Sequence, residues 1–119
     1  MELVNNKIDT ENTKARMRKG LLEYCILLII SRGRTYAQDI LNELKAANMI
    51  VVEGTMYPLL SRLRSSELLE YVWEESKTGP PRKYYSLTKK GRDALENLNN
   101  TWEKLAKSIN SLSAKHKNK

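Results

Sequence analysis

The sequence predicts a mainly α-helical domain that contains one small β-hairpin and ends in a long helix. Three observations lead to this fold class. Segments with apolar residues at helical spacing fill the first half of the chain, two short alternating segments follow them, and a regular heptad pattern begins after residue 94. The length of 119 residues suits one small domain with a helical extension.

The first helix is predicted from Lys14 to about Ser31, after a flexible arm over residues 1–13. Apolar residues surround this helix almost completely between residues 21 and 30, so we expect it to lie at the centre of the core. Cys25 lies within the apolar segment and is therefore expected to be a buried, reduced thiol. Gly33 is predicted to end the helix.

The second and third helices each have a predicted first residue. Thr35 and Gln38 have the spacing of a capping box, which predicts the start of the second helix. Thr55 is predicted to cap the third helix, and Pro58 then falls in its first turn, where a missing N–H costs little. The third helix has an apolar face and an opposite face that is polar and free of acids. That polar face consists of Tyr57, Pro58, Ser61, Arg62 and Ser65.

Alternation of apolar and polar residues predicts a hairpin after the third helix. Leu69, Tyr71 and Trp73 alternate with polar or smaller residues, which is typical of a half-buried strand. Residues 76–81 are predicted to form the connecting loop because Gly-Pro-Pro interrupts a strand ladder. A second strand is predicted over 83–87, so that the end of the hairpin carries Lys77, Arg82 and Lys83.

Thr88 is predicted to cap a last helix over residues 89–113, which a basic tail over residues 114–119 follows. Its apolar residues alternate at spacings of three and four, as in a heptad seam. This seam favours pairing with the same helix of a second copy, and packing on the chain's own domain is the alternative. The seam consists of Leu95, Leu98, Trp102, Leu105, Ile109 and Leu112.

The charge of the chain restricts its partners. The net charge is +7, and residues 76–92 alone contribute +6 without any acid. This excess favours a polyanion, either nucleic acid or an acidic membrane surface.

One cysteine and one histidine exclude a disulfide framework within the chain and argue against a zinc site, so we expect neither a metal nor another cofactor. The apolar runs are too short to span a membrane, and the first residues do not resemble a signal peptide, which favours a cytoplasmic location.

The order of the predicted elements over residues 14–88 describes a winged helix-turn-helix. In this arrangement the third helix lies in a major groove of double-stranded DNA, and the hairpin reaches the backbone or the minor groove. Arg62 has the geometry to pair with a guanine edge, whereas tyrosine and serine side chains more often contact phosphates. Capping, packing and solvation are the structural alternatives for these residues. The candidate DNA contacts are Tyr36, Thr55, Tyr57, Ser61, Arg62, Lys77, Arg82 and Lys83.

Two stretches resemble the PadR family of bacterial transcriptional regulators. Residues 54–63 (GTMYPLLSRL) resemble the third-helix signature of that family, and residues 79–91 (GPPRKYYSLTKKG) resemble its wing and the following turn. The resemblance extends over about residues 17 to 110. It implies a winged-helix dimer of the smaller subclass, in which the C-terminal helices pair. It also implies repression of nearby genes until an effector releases the protein from a pseudopalindromic operator.

The resemblance also suggests a role for Trp102. Some small members of the family bind planar hydrophobic compounds at the dimer centre, where Trp102 would stack on the ligand. A large apolar anchor of the interface is the alternative.

The sequence departs from the family pattern at Ala37 and Glu67, where glycine is usual, and at Arg64, where an acid is frequent. Glu67 predicts slight strain in a left-handed turn, and Arg64 extends the basic surface.

Two functions of different classes follow from these patterns. The first is a dimeric, sequence-specific DNA-binding repressor that responds to a small hydrophobic or aromatic effector. The alternative is a non-specific architectural or RNA-binding basic protein without an effector. An adaptor between proteins is disfavoured by the acid-free wing. Enzymatic activity is not expected, because the sequence contains no recognisable set of nucleophile and base, paired carboxylates or phosphate-binding glycine loop.

Overall fold

Four helices and three strands make up the part of the chain that the computed structural model describes, residues 2–49 and 51–117. The fold class predicted from the sequence is confirmed, with one additional short strand before the second helix. In chain order the elements are α1 (Glu2–Ile30), β1 (Thr35–Tyr36), α2 (Ala37–Ala46), α3 (Glu53–Ser65), β2 (Leu69–Ser76), β3 (Gly79–Leu87) and α4 (Lys89–Lys117).

Helix α1 supplies the centre of the hydrophobic core, as its apolar pattern predicts. Ile26, Leu27 and Ile30 are almost fully buried and belong to one cluster with side chains of α2, α3, the sheet and α4. Cys25 is only half-buried, in contrast to the prediction, although burial still raises the pKa of its thiol. The buried face of α1 therefore holds the other elements in their relative positions.

The two long helices extend beyond their predicted limits. Helix α1 begins at Glu2 instead of Lys14, so residues 2–13 are helical where an arm was predicted. The absence of Gly and Pro from the first 19 residues allows the helix to continue. Helix α4 likewise continues to Lys117, through part of the predicted basic tail. Residues 1, 118 and 119 of these two predicted segments lie outside the described residues.

Thr35 does not cap α2, contrary to the prediction. It forms β1 with Tyr36, and the two residues pair with Tyr85 and Tyr84 of β3. The Thr35 hydroxyl instead donates a hydrogen bond of 2.8 Å to the Gly33 carbonyl. The prediction failed because the capping box is a local pattern, whereas the edge of β3 that captures Thr35 is supplied by residues 50 positions away.

Thr55 is not the cap of α3 either. The helix begins at Glu53, and the Val52 carbonyl accepts the first hydrogen bonds, from Thr55 N at 2.9 Å and Met56 N at 3.0 Å. Pro58 consequently lies in the second turn, inside the helix. Its ring leaves the Gly54 carbonyl without the usual helical donor, at a place where both residues are exposed to solvent.

The three strands form an antiparallel sheet in the order β1-β3-β2. Residues 79–81, predicted to be loop, belong to β3, so that only Lys77 and Thr78 connect the strands of the hairpin. Pro80 and Pro81 are tolerated because β1 pairs only with Tyr84 and Tyr85, which leaves the proline end of β3 with β2 alone. A register irregularity between Glu74 and Ser76 lies directly opposite these prolines.

Helix α3 ends in a left-handed turn at Glu67, where the family resemblance implies one. Glu67 has φ of 64°, its N–H bonds the Arg64 carbonyl at 2.9 Å, and Leu68 N bonds the Leu63 carbonyl at 3.0 Å. These are the two hydrogen bonds of a Schellman motif. A non-glycine residue in this conformation carries a small strain, which the two hydrogen bonds offset.

The Thr88 hydroxyl joins this turn to the first turn of α4. It donates to the Glu67 carbonyl at 2.6 Å and accepts from Gly91 N at 2.9 Å, and Thr88 N bonds the Leu68 carbonyl at 3.1 Å. The predicted cap is confirmed. Gly91 lies against the Leu68 carbonyl so closely that a Cβ at position 91 would overlap the oxygen and stand 3.0 Å from the carbon. We call Glu67, Leu68, Thr88 and Gly91 the α3–α4 junction.

None of the helices in residues 2–49 and 51–117 has both the length and the apolar character needed to cross a bilayer.

Substitution of Gly91 by alanine is expected to lower the free energy of unfolding by about 1–3 kcal/mol, because the backbone of Leu68 must move to admit the methyl group. Gly20→Ala is the matched control. A Cβ at position 20 meets nothing within 4 Å in the middle of α1, so this variant should be more stable by about 0.5–1 kcal/mol. Urea denaturation at equal protein concentration measures both. Equal stability of Gly91→Ala and wild type would contradict the packing described for the junction.

Candidate nucleic-acid interface

Helix α3 presents small side chains at the centre of its exposed face. Met56, Leu60 and Leu63 are buried in the core, as predicted. With about 100° between successive residues, the positions opposite this buried face carry no charged side chain. They are Gly54, Pro58, Ser61 and Ser65, all exposed. The backbone of α3 can therefore approach a groove closely.

Arg62 lies on the side of α3 that faces α1. Its guanidinium forms an ion pair with Glu23 of α1, and its side chain remains 64% exposed. Thr55 lies on the same side and lines a groove between the two helices, together with Arg16 and Lys19. The predicted base-reading arginine thus lies beside four polar neighbours, one of them acidic, and is paired with that acid.

Tyr57 and Arg64 lie on the other side of α3, next to the hairpin. Arg64 stacks on Tyr71 of β2, with its Cζ 4.8 Å from the ring centroid. Burial raises the pKa of the Tyr85 hydroxyl, and the neighbouring Tyr57 and Tyr71 hydroxyls raise it further, while Arg64 opposes them. The Tyr71 and Tyr85 rings are 5.9 Å apart, so tyrosines from both strands of the hairpin lie together with Arg64 of α3.

The predicted cluster of three cations at the end of the hairpin is wrong. Only Lys77 occupies the connecting turn, whereas Arg82 and Lys83 lie inside β3. Lys83 is opposite Trp73 and Arg82 is opposite Glu74, so the two successive cations point to opposite faces of the sheet. The reason is that β3 begins at Gly79, earlier than predicted. Arg82 and Lys83 are therefore successive strand residues, and such side chains alternate between the two faces.

Arg82 and Tyr36 occupy the sheet face that points away from Tyr71. The Arg82 Cζ lies 4.6 Å from the centroid of the Tyr36 ring, and the rings of Tyr36 and Tyr84 are 5.7 Å apart. Tyr36 is half-buried in this stack. Of the two roles considered for it, packing is the one that these contacts support.

Several of the cations have no carboxylate partner in the part of the chain that the structure describes. The ion pairs found there involve Arg32, Arg34, Arg62 and Lys89. The cations outside these pairs include four on α3 and the wing, so their positive charge is available to an external anion. They are Arg64, Lys77, Arg82 and Lys83.

The heptad seam of α4 divides into two parts. Leu95, only 8% exposed, belongs to the core of its own chain, and Leu98 packs partly against that core. The prediction that Leu95 contributes to a dimer interface is therefore wrong, because β3 and α1 already cover this part of α4. The remaining apolar residues of the seam are exposed. They are Trp102, Leu105, Ile109 and Leu112.

One hydrogen bond connects the two long helices where the seam leaves the core. Tyr24 of α1 donates from its hydroxyl to Asn99 Oδ1 of α4 at 2.6 Å. Burial raises the pKa of Tyr24, and the nearby Cys25 and Glu103 add to this effect, so the hydroxyl keeps its proton as a donor. The contact fixes α4 against the domain three residues before Trp102.

Sequence reasoning missed some of the residues that shape this surface. Glu23 was not among the predicted residues, because its pairing with Arg62 joins two helices that are distant in the chain. Arg64 was noticed as a departure from a family pattern, which was a usable signal. Trp73 was expected to pack within the hairpin, but it is 63% exposed and meets Tyr71 only edge to face.

Comparison with known proteins identifies relatives of the chain. The model of the transcriptional regulator PadR-like family matches residues 26–97. A solved structure of a PadR-like transcription factor from Bacteroides fragilis is 52% identical, covers 85% of this chain and 98% of its own, and has a TM-score of 0.71. A PadR-like transcriptional regulator from Bacillus cereus is 39% identical, with coverage of 82% and 95% and a TM-score of 0.74. A PadR-family regulator from Eggerthella lenta is 26% identical, with coverage of 92% and 96% and a TM-score of 0.80.

Proposed function

Because the chain belongs to the PadR-like family of transcriptional regulators, we propose that it is a dimeric, sequence-specific DNA-binding repressor that a small-molecule effector releases from its operator. The observation that carries this proposal is the exposed face of α3, which is small and uncharged at its centre and has an arginine on each side. Such a face fits into a major groove, where the arginine on one side, Arg62, reaches a base edge and the arginine on the other side, Arg64, lies towards the phosphate backbone.

Arg62 is the residue we assign to base recognition. Its ion pair with Glu23 is largely exposed, and exposed pairs contribute about 0–1 kcal/mol to stability. A bidentate contact with a guanine edge supplies about 1–3 kcal/mol of discrimination. It is therefore favourable for the Arg62 side chain to leave Glu23 and bind guanine. Where the groove offers no guanine, Arg62 stays paired with Glu23. Thr55, Tyr57 and Ser61 then position α3 through phosphates.

The wing supplies contacts that do not depend on sequence. Lys77 lies in the connecting turn of the hairpin and is assigned to the backbone or the minor groove. Arg82 and Lys83 lie on opposite faces of β3. DNA bound on one side of the wing is therefore nearer to one of these cations than to the other. All three act chiefly through the release of counterions from phosphates.

The exposed half of the α4 seam supports a symmetric dimer. Trp102, Leu105, Ile109 and Leu112 form a stripe along one side of a helix that leaves its own domain. Pairing of two such stripes around a two-fold axis buries them and presents two copies of α3 to half-sites about one helical turn apart, or a multiple of it. Trp102 stands where the stripe meets the domain and is assigned to stacking on a planar hydrophobic effector.

Arg62→Ala is expected to relax the preference for one base pair per half-site by about 1–3 kcal/mol. Lys77→Ala should instead weaken binding to all sequences alike. It should also reduce the slope of log K against log salt concentration by about one unit. Titrations of DNA from upstream of the protein's own gene, at two salt concentrations and against excess random DNA, measure both effects. Arg32→Ala is the matched control, because Arg32 is as exposed as Arg62 and is also paired, with Glu43, on a different surface.

Two outcomes of these titrations would contradict the proposal in different ways. If Arg62→Ala and Lys77→Ala affected specific and random DNA equally, the division between base reading and backbone contact would be wrong. If binding of the wild-type protein disappeared entirely into random competitor, the protein would be a non-specific nucleic-acid binder instead.

Ile109→Glu is expected to convert the dimer into a monomer of 13.8 kDa, because it places a charge in the middle of the apolar stripe. Ile109 is 59% exposed within the chain, so the fold of the single chain should be preserved. Ser111→Glu introduces the same charge about 200° further round the helix and should leave the dimer intact. Light scattering after size-exclusion chromatography gives the mass. A wild-type protein that is already monomeric at micromolar concentration would refute the assigned interface.

Trp73→Phe leaves Trp102 as the single tryptophan, since the chain has two. We expect planar aromatic compounds that weaken DNA binding to quench the Trp102 fluorescence of this variant, because an indole stacked on a ligand loses its emission. The converse variant, Trp102→Phe, reports on Trp73 and should respond much less. Release of DNA by compounds that quench neither tryptophan, or quench both equally, would place the effector site elsewhere.

A further inference from the structure

Two cations from different elements converge on one tyrosine ring where α3 meets the wing. Arg64 Cζ of α3 lies 4.8 Å from the centroid of Tyr71, and Lys83 Nζ of β3 lies 4.2 Å from the same point. The two charges are therefore no more than about 9 Å apart. Lys83 Nζ is also 5.2 Å from the centroid of Trp73. We call Arg64, Tyr71, Trp73 and Lys83 the helix–wing corner.

The positive charge of this corner is held in place without being neutralised. Neither Arg64 nor Lys83 has an ion-pair partner among the residues that the structure describes. Glu67 and Glu70 border the same surface as Arg64 but form no ion pair with it. Aromatic faces attract cations through their quadrupole and orient them, but they carry no net charge that would cancel the field. Two like charges within this distance are most stable when an anion lies within reach of both.

The position of the corner indicates which anion it binds. A helix in the major groove and a wing that reaches the adjacent minor groove lie on either side of one sugar–phosphate strand. In that placement the strand crosses the protein where α3 meets the wing, beside the Tyr71 ring on which Arg64 and Lys83 converge. Phosphate oxygens accept charge-assisted hydrogen bonds from guanidinium and ammonium groups at the same time.

On these grounds we propose that Arg64 and Lys83 together bind a single backbone phosphate of double-stranded DNA, with the Tyr71 ring holding both cations in position. Trp73, which is mostly exposed beside Lys83, packs against the adjoining sugar. The proposal rests on the proposed function, since it supposes that α3 enters a major groove. It adds a site that fixes the angle between the recognition helix and the wing on DNA.

The test compares the salt dependence of binding for Arg64→Gln, Lys83→Gln and the double variant, with a short duplex of random sequence as the probe. A phosphate contact needs no particular bases, so the operator is not required. Each phosphate that loses its cations reduces the slope of log K against log salt by about 0.9. One shared phosphate predicts a loss of about 0.9 for the double variant, and a smaller loss for each single variant because the other cation remains.

The control is the double variant Arg32→Gln with Lys107→Gln, which removes one arginine and one lysine from exposed positions away from the corner. It should leave the slope unchanged, and circular dichroism verifies that all variants are folded. A loss of about 1.8 in the Arg64 and Lys83 double variant would mean two separate phosphates and would overturn the shared site. An unchanged slope, or an equal loss in the control, would also overturn it. A wild-type protein that binds neither this duplex nor DNA from upstream of its own gene would refute the proposed function itself, before any variant is compared.

Discussion

The arrangement of this molecule depends on the hydrogen bonds between Thr88 and the end of α3. One hydroxyl donates to the Glu67 carbonyl and accepts from Gly91 N, so it closes the base of the hairpin and starts α4 at the same time. The absence of a side chain at Gly91 lets the first turn of α4 lie against the Leu68 backbone. The end of α3 and the start of α4 are thereby joined directly by hydrogen bonds and close packing.

The cations of the surface are held in two different ways. Arg62 and Arg34 are paired with carboxylates, Glu23 and Glu74, which neutralise them until a stronger partner arrives. Arg64, Lys83 and Arg82 lie instead on tyrosine rings, which restrict their motion but leave their field intact. The first arrangement suits discrimination, because an anion must displace the carboxylate. The second suits the capture of any phosphate. In the binding mode proposed above, the carboxylate-paired cations serve selective contacts and the ring-supported cations serve contacts with any phosphate.

Local sequence patterns predicted most of the fold because most of its elements have local causes. The buried face of α3, the Thr88 cap and the left-handed turn at Glu67 each follow from residues a few positions apart. The errors share a different origin. Thr35 pairs with a strand 50 residues away, and the prolines of β3 are tolerated because no third strand reaches them. A capping pattern and a strand-breaking pattern cannot contain that information.

The same distinction applies to the candidate site. The exposed residues of α3 follow from helical period alone, and they were identified from the sequence. The pairing of Arg62 with Glu23 and the meeting of Arg64 with Lys83 on Tyr71 join elements that are distant in the chain, so only the packed structure reveals them.

The seam of α4 shows both cases at once. Its period is local, but the point at which it leaves the core, between Leu98 and Trp102, is set by the size of the domain. An effector that we propose to bind beside Trp102 would act just beyond the Tyr24–Asn99 hydrogen bond, on the helix that the Thr88 contact ties to α3. In the proposed dimer, a wedge between two α4 helices at that point would change the separation of the two α3 helices more than their internal structure.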